Sequence, residues 1–208
     1  EAGAARIAED KTKVPKNGVP VPYYMDTVTV EQELLYSFAA PNGDPWYAAQ
    51  MLAYRGAYQK DFAVTVDAYA GAVAPVTVGV GLWGYIDWPA DNDHHVVLSF
   101  NDEPLADEVF DGITDHPVRT ELAAGVLQEG ANTLTIGLPR DTGQAFDMVA
   151  LDQYSVTYPR LFLSRDGFGL TATAAGKMLE VEGLVEEEVS VYRHTDAGSL
   201  AVLTKTEV

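Results

Sequence analysis

Two stretches decide the fold: Ala124-Gly125-Val126-Leu127-Gln128-Glu129-Gly130-Ala131-Asn132-Thr133-Leu134-Thr135-Ile136 and Asp147-Met148-Val149-Ala150-Leu151-Asp152-Gln153-Tyr154-Ser155-Val156-Thr157-Tyr158-Pro159-Arg160. Each holds a strand in which every second residue is apolar, and a turn containing Gly and Asn precedes the first. An antiparallel sheet buries one face and wets the other with this period of two. The pattern predicts an all-β protein: a jelly-roll-like antiparallel β-sandwich with a small C-terminal β extension. It points to recognition or support, not to chemistry.

Working outward, strand patterns recur over 26–38, 62–68, 74–82, 95–100, 105–110, 117–122 and 133–138. Asn101-Asp102-Glu103-Pro104 reads as a four-residue hairpin loop, and residues 46–59 leave room for one short helical turn that Gly56 stops. Residues 1–22, with Pro15, Pro20 and Pro22, read as an N-terminal arm or linker. The sandwich is expected over 23–160. Residues 161–208 carry shorter strand patterns at 161–164, 170–173, 178–181, 189–192 and 200–204, read as a small β extension or a linker to a following domain.

Composition narrows the partners. The chain has 208 residues, with 31 acids against 13 bases and a net charge of −18. Phosphate backbones need a basic face, so nucleic acid is an unsuitable partner. No run of 18 apolar residues exists for membrane insertion. There is no Cys, which removes disulfides, cysteine–zinc sites and a thiol nucleophile from these residues. No nucleophile elbow, Walker loop or dinucleotide glycine fingerprint is present. The chain begins Glu1-Ala2-Gly3 without an initiator Met, and is expected to be a piece of a longer protein.

Four segments occur in a telling order: Asp93-His94-His95-Val96-Val97-Leu98-Ser99-Phe100-Asn101, Val109-Phe110-Asp111-Gly112, Leu127-Gln128-Glu129-Gly130-Ala131-Asn132-Thr133-Leu134 and Val149–Arg160. Together they resemble the β-sandwich domain that precedes the catalytic domain in large bacterial gingipain-type cysteine peptidases. The resemblance covers roughly residues 25–208 and is strongest from 93 to 165. It implies a non-catalytic accessory domain, secreted or at the cell surface, with an adjacent catalytic domain in the parent chain as partner and protein or glycan as a ligand. The Glu-Gly-Ala-Asn-Thr-Leu turn also occurs in carbohydrate-binding jelly rolls and galactose-binding-like domains. A carbohydrate-binding module is therefore the alternative.

The candidate residues follow from chemistry. Glu31 and Glu33 share a face of the first strand and Asp152 lies on the last, an arrangement in which carboxylates can share a structural calcium ion. Backbone capping by Asp152 is the competing account, and no other cofactor is expected. Asp91, Asp93, His94 and His95 offer ligand atoms, but adjacent strand residues point to opposite faces, and a polar loop entering a strand explains them as well. Trp46, Trp83, Tyr85 and Trp88 could form a stacking platform for a sugar; packing at a core edge or domain interface is the other account.

Overall fold

The computed structural model describes residues 7–13, 17–89, 91–164, 178–184, 190–194 and 200–204. Fourteen strands run through them: β1 (Ala8–Asp10), β2 (Tyr24–Glu31), β3 (Leu35–Tyr36), β4 (Trp46–Tyr47), β5 (Ala49–Ala53), β6 (Tyr58–Val66), β7 (Val76–Gly84), β8 (His94–Phe100), β9 (Glu103–Phe110), β10 (Asp115–Leu122), β11 (Gly130–Leu138), β12 (Asp147–Arg160), β13 (Val191–His194) and β14 (Leu200–Leu203). The fold is all-β, as the alternation predicts.

The chain divides into two units. Met25–Arg160 is the sandwich. One sheet has the order β10-β7-β12-β2, with β5 also paired to β12; the other has the order β6-β11-β8-β9. The second unit takes residues from both ends, Glu1–Tyr24 and Leu161–Val208. There β1 lies parallel to β14, and β13 pairs antiparallel with β14. The N-terminal segment read as an arm thus contributes a strand, pairing Ala8 with Ala201. Arg193 Nη2 meets Asp10 Oδ2 at 2.6 Å across the same sheet. The strand read over 170–173 lies outside the described residues.

Alternation builds the sandwich core. Val76, Val78, Val80 and Leu82 of β7 face Val96, Leu98 and Phe100 of β8 and Leu134, Ile136 and Leu138 of β11 in one buried cluster. Burying each such side chain is worth about 1.5–3 kcal/mol. Along β12 the inward set is Asp147, Val149 and Leu151, then Tyr154, Val156 and Tyr158. The change from odd to even numbers marks a β-bulge: Leu151 pairs with Leu82 and Tyr154 with Val80, leaving Asp152 and Gln153 opposite Gly81.

Two local readings change. No helical turn forms over 46–59; β4 and β5 occupy most of it, with Ala49, Met51 and Ala53 inward and Gln50 and Leu52 outward. The loop of the β8–β9 hairpin has two residues, not four. Phe100 pairs with Glu103, and Asn101 and Asp102 both take positive φ, at 49° and 67°. A tight hairpin with the twist of its strands needs that pair of conformations. At the 128–132 turn, Gly130 takes φ 86°, whereas Asn132 works through its side chain. Its Oδ1 accepts from Gln128 N at 2.9 Å and from Asn101 Nδ2 at 2.8 Å, and its Nδ2 donates to Gln128 O and Gly130 O.

Polar groups are also built into the interior. His94 of β8 and Asp147 of β12 are both fully buried and join the two sheets, Nδ1 to Oδ1 at 2.7 Å, while Asp147 Oδ2 accepts from His95 N. His94 Nε2 faces Ile86 O at 3.2 Å. Beside them Asp93 Oδ2 accepts from Trp88 N and Gly112 N, tying two loops to the strand end. Gly84 permits this crowding, since a Cβ there would sit 2.1 Å from Gly112 O and 2.4 Å from His94 Nε2. Removing one partner of a buried pair strands the other. Asp147→Ala is therefore expected to destabilise the chain by about 3–5 kcal/mol in a urea melt. A loss below about 1 kcal/mol would contradict the buried geometry.

Candidate binding surface

The hairpin β3–β4 belongs to the sandwich and carries its most unusual surface. Tyr36 pairs with Trp46 and Leu35 with Tyr47, so the pleat sends Tyr36 and Trp46 to one side. Tyr47 turns the other way, into a second buried cluster with Trp83 and Ala150, packed by Ala40 and Tyr85. This cluster lies on the outer side of β7 and β12: Trp83 and Ala150 pair with each other and alternate with the core residues Leu82, Val149 and Leu151. Tyr85 stacks on Trp83 at 4.8 Å, and the Tyr47 and Tyr85 hydroxyls meet at 3.2 Å. Burial first, then the bond and the charge of Tyr85, push the Tyr47 hydroxyl up to about 12.

On the other side of the hairpin the rings are open. Phe38 is 95% exposed, Tyr36 46% and Trp46 40%, while the neighbouring Ser37 is buried at 7%. Tyr36 meets both rings edge to face, Phe38 at 5.0 Å and 83° and Trp46 at 5.1 Å and 75°. The connecting loop is fixed by short bonds: Ser37 N to Pro45 O, Asp44 N to Asn42 Oδ1 and Trp46 N to Asp44 Oδ1. Asn42 Nδ2 reaches Asp115 Oδ1 at 3.3 Å. A small side chain inside and large apolar ones outside invert the usual pattern, and such patches mark interaction sites.

Asp44 adjoins the rings through its bond to Trp46 N. Asp152, on the bulge of β12, is half-buried. Its carboxyl is raised above the ordinary aspartate value by burial and then by the charges of Asp44, Glu31 and Asp115. Two of the three calcium candidates, Glu31 and Asp152, thus share one electrostatic neighbourhood, joined by Asp44 and Asp115, which the sequence did not single out; Glu33 is exposed beyond the end of β2. Among the described residues, no group of three or more His, Cys, Asp or Glu side chains is placed to hold a metal ion.

Of the four aromatic candidates, only Trp46 keeps an open ring. Trp83 is 1% exposed, with Tyr47 and Tyr85 on it, and has no face to offer a ligand. Tyr85 is half-buried in the same stack. Trp88, also half-buried, donates its Nε1–H to Phe146 O and packs edge-on against that ring at 5.1 Å. Composition and motif do not mark Tyr36 and Phe38, which are open as well. Their signal was the period-two order of Leu34, Tyr36 and Phe38 around Ser37, hidden within an apolar run.

His94 and His95 do point to opposite faces. His95 sits outward between Asp141 Oδ1, 2.7 Å from Nδ1, and Asp107 Oδ1, 2.8 Å from Nε2. Partial burial pushes its pKa down, but the bonds to Asp141 and Asp107 and their charges outweigh this, and the net shift is upward.

No family model matches the sequence, and no curated protein matches it. Among solved structures, the chain is similar to dimeric latent PorU from Porphyromonas gingivalis, with a TM-score of 0.55 and 14% identity over 78% of this chain. It spans 15% of the PorU chain. It also shows weaker likeness to the CBM36-1 domain of a multidomain xylanase from the hindgut metagenome of Trinervitermes trinervoides, at TM-score 0.40, 13% identity, and 63% and 96% of the two chains. A carbohydrate-binding module CBM36 in complex with calcium and xylotriose is similar at TM-score 0.37 and 16% identity, over 62% and 98%. The resemblance to the gingipain-type β-sandwich holds at the level of fold.

Two measurements test the electrostatics. A raised carboxyl pKa means that ionised Asp152 is disfavoured in the fold, so its contribution becomes less favourable as pH rises from the ordinary aspartate value through the folded one. Asp152→Asn is expected to raise Tm at pH 7 by about 1–3 °C, with no gain below about pH 4. A calcium ion on these carboxylates would reverse the sign, lowering the variant below the native chain in calcium but not in chelator. For His95 the stabilisation is fully present below the ordinary histidine value of about 6.5 and is lost as pH rises through the higher folded value. An NMR titration should give a midpoint above 6.5, and the stability gap between the native chain and His95→Gln should close as pH rises past it. A midpoint at or below the free-histidine value would contradict the bracket.

Proposed function

We propose that this chain is a non-catalytic accessory domain of a secreted or cell-surface bacterial peptidase of the gingipain type, and that its sandwich presents a recognition surface beside the catalytic domain. The observation that carries this reading is the ring ladder Phe38–Tyr36–Trp46, held open to solvent by a bonded hairpin. Exposing large rings is unfavourable unless a partner covers them. Likeness in fold to a segment of the much longer PorU chain supports a module within a larger protein.

A carbohydrate-binding module is the second reading, favoured by the exposure of Phe38 and Trp46. The edge-to-face angles weigh against it, because Tyr36 is coplanar with neither neighbour and the ladder presents no flat platform for a sugar ring. An irregular, knobbed aromatic surface suits a polypeptide, whose side chains interdigitate with it. The parent reading frame tests the proposal. It is expected to encode a peptidase domain with paired His and Cys beside this chain. A glycoside hydrolase in that place, with binding on a glycan array that Phe38→Ser abolishes, would replace the proposal with the second reading.

A further inference from the structure

Resting on the protein-recognition reading above, we infer that the ring ladder and the carboxylates beside it form a docking site for a basic, arginine-bearing polypeptide segment. The two halves of the site are joined at Asp44, whose Oδ1 accepts the backbone N–H of Trp46 and whose charge bears on Asp152. In the same loop Asn42 donates to Asp115 Oδ1 at 3.3 Å, and Asp152 and Glu31 lie on the neighbouring strands β12 and β2; the charges of Asp44, Glu31 and Asp115 all bear on Asp152. Among the described residues, no Lys, Arg or His forms a salt bridge to any of the four; the ion pairs there join other acids. The imbalance is regional as well as local: Met25–Arg160 holds twenty Asp and Glu against five Lys and Arg. A cation arriving here relieves repulsion that already raises one of the carboxyls.

The rings narrow the cation to arginine. A guanidinium stacks on an aromatic face and bonds a carboxylate with its edge, whereas an ammonium is a compact, strongly hydrated charge. Phe38, exposed on almost its whole surface, and Trp46, fixed beside Asp44, offer a face and a carboxylate within one hairpin. A neutral glycan would leave the four charges uncompensated. A polyanion would add to them.

The test uses the 208-residue chain and three fluorescein-labelled decapeptides of Arg-Gly-Ser repeat, with Lys or Gln replacing Arg in the second and third. Binding is read by anisotropy. The Arg peptide should bind, the Lys peptide several-fold more weakly and the Gln peptide not measurably. Raising salt from about 50 to 300 mM should weaken the Arg peptide severalfold or more, because the shorter Debye length screens the attraction between exposed charges. Phe38→Ser and the double variant Glu31→Gln/Asp152→Asn should each weaken it about tenfold, the equivalent of 1.4 kcal/mol. The remote Asp102→Asn/Glu103→Gln, with the same charge change in the β8–β9 turn, should bind as the native chain does. Phe38 is so exposed that its replacement leaves the melting curve unchanged, which a thermal scan verifies. Equal weakening by the remote variant, or Arg-peptide binding indifferent to Phe38→Ser, would mean diffuse attraction and overturn the inference. So would no binding of the Arg peptide at low salt, or soluble glycans binding in its place. None of these outcomes bears on the parent reading frame, which tests the accessory-domain proposal separately.

Discussion

The register of β12 is the constraint on which the sandwich depends, and buried polar pairs fix it at both ends. Asp147 at its start is fully buried and bonded to His94 of the opposite sheet. Arg160 at its end is 1% exposed; its Nη2 meets Asp67 Oδ2, just past the end of β6, at 2.8 Å, and its Nε lies 3.7 Å from Asp26. A strand alternates faces strictly. Residues 147 and 160 differ in parity, so both are inward only if one extra residue is accommodated between them. The bulge at Asp152 and Gln153 supplies it. Without it, Gln153, Ser155 and Thr157 would take the inward places of Tyr154, Val156 and Tyr158, exchanging apolar burial for unpaired polar groups. Two hydroxyls reinforce the setting from within: Tyr154 donates to Ala63 O at 2.6 Å, and Tyr158 to Asp67 O at 3.1 Å.

The same bulge links the core to the surface. It holds Asp152 on the outer side of the sheet, within reach of the charges of Glu31, Asp44 and Asp115. One edge of β12 is taken by β7, and the other is shared by β5 near its start and β2 further on. Glu31, at the end of β2, approaches from that shared edge, while Asp115 comes from β10 beyond β7 and is bonded there by Asn42 of the hairpin loop that carries Asp44.

Much of this was legible in the residues, and the failures have physical causes. The parity jump of β12 is visible as Val149 and Leu151 followed by Tyr154, Val156 and Tyr158, and β7, β8 and β11 alternate as clearly between their faces. Where the contrast is weak, the reading fails. In β5, Ala49, Met51 and Ala53 point inward and Leu52 outward, so apolar residues lie on both sides and a helical turn reads equally well. The hairpin at 101–102 is legible but reads two residues too long, because Pro104 looks like part of a loop although it pairs with Ser99. The pairing of β1 with β14 joins the two ends of the chain, and no local pattern announces so distant a partner. Of the aromatic candidates Trp83, Tyr85 and Trp88 are covered and Trp46 is open, because composition marks Trp and Tyr as useful but not which of them are covered. Trp83 alternates with Leu82 and ought to face water; it is buried because Tyr47 of a separate hairpin lies on it.

That covered stack also explains why the open rings are held so firmly. A two-stranded ribbon is marginal alone in water, and here each strand has only two paired residues. Its anchorage comes from Tyr47, buried against Trp83 and hydroxyl-bonded to Tyr85, and from Ala40 packed on the same cluster. Because Tyr47 points toward the sheet, its neighbour Trp46 and the paired Tyr36 must point away. The burial of one aromatic set thus enforces the exposure of the other. Holding rings in place before a partner arrives removes part of the ordering cost of association. The outward placement of the ladder accordingly depends on the stack beneath it, and a truncation at Trp83 would act on the ladder without touching it.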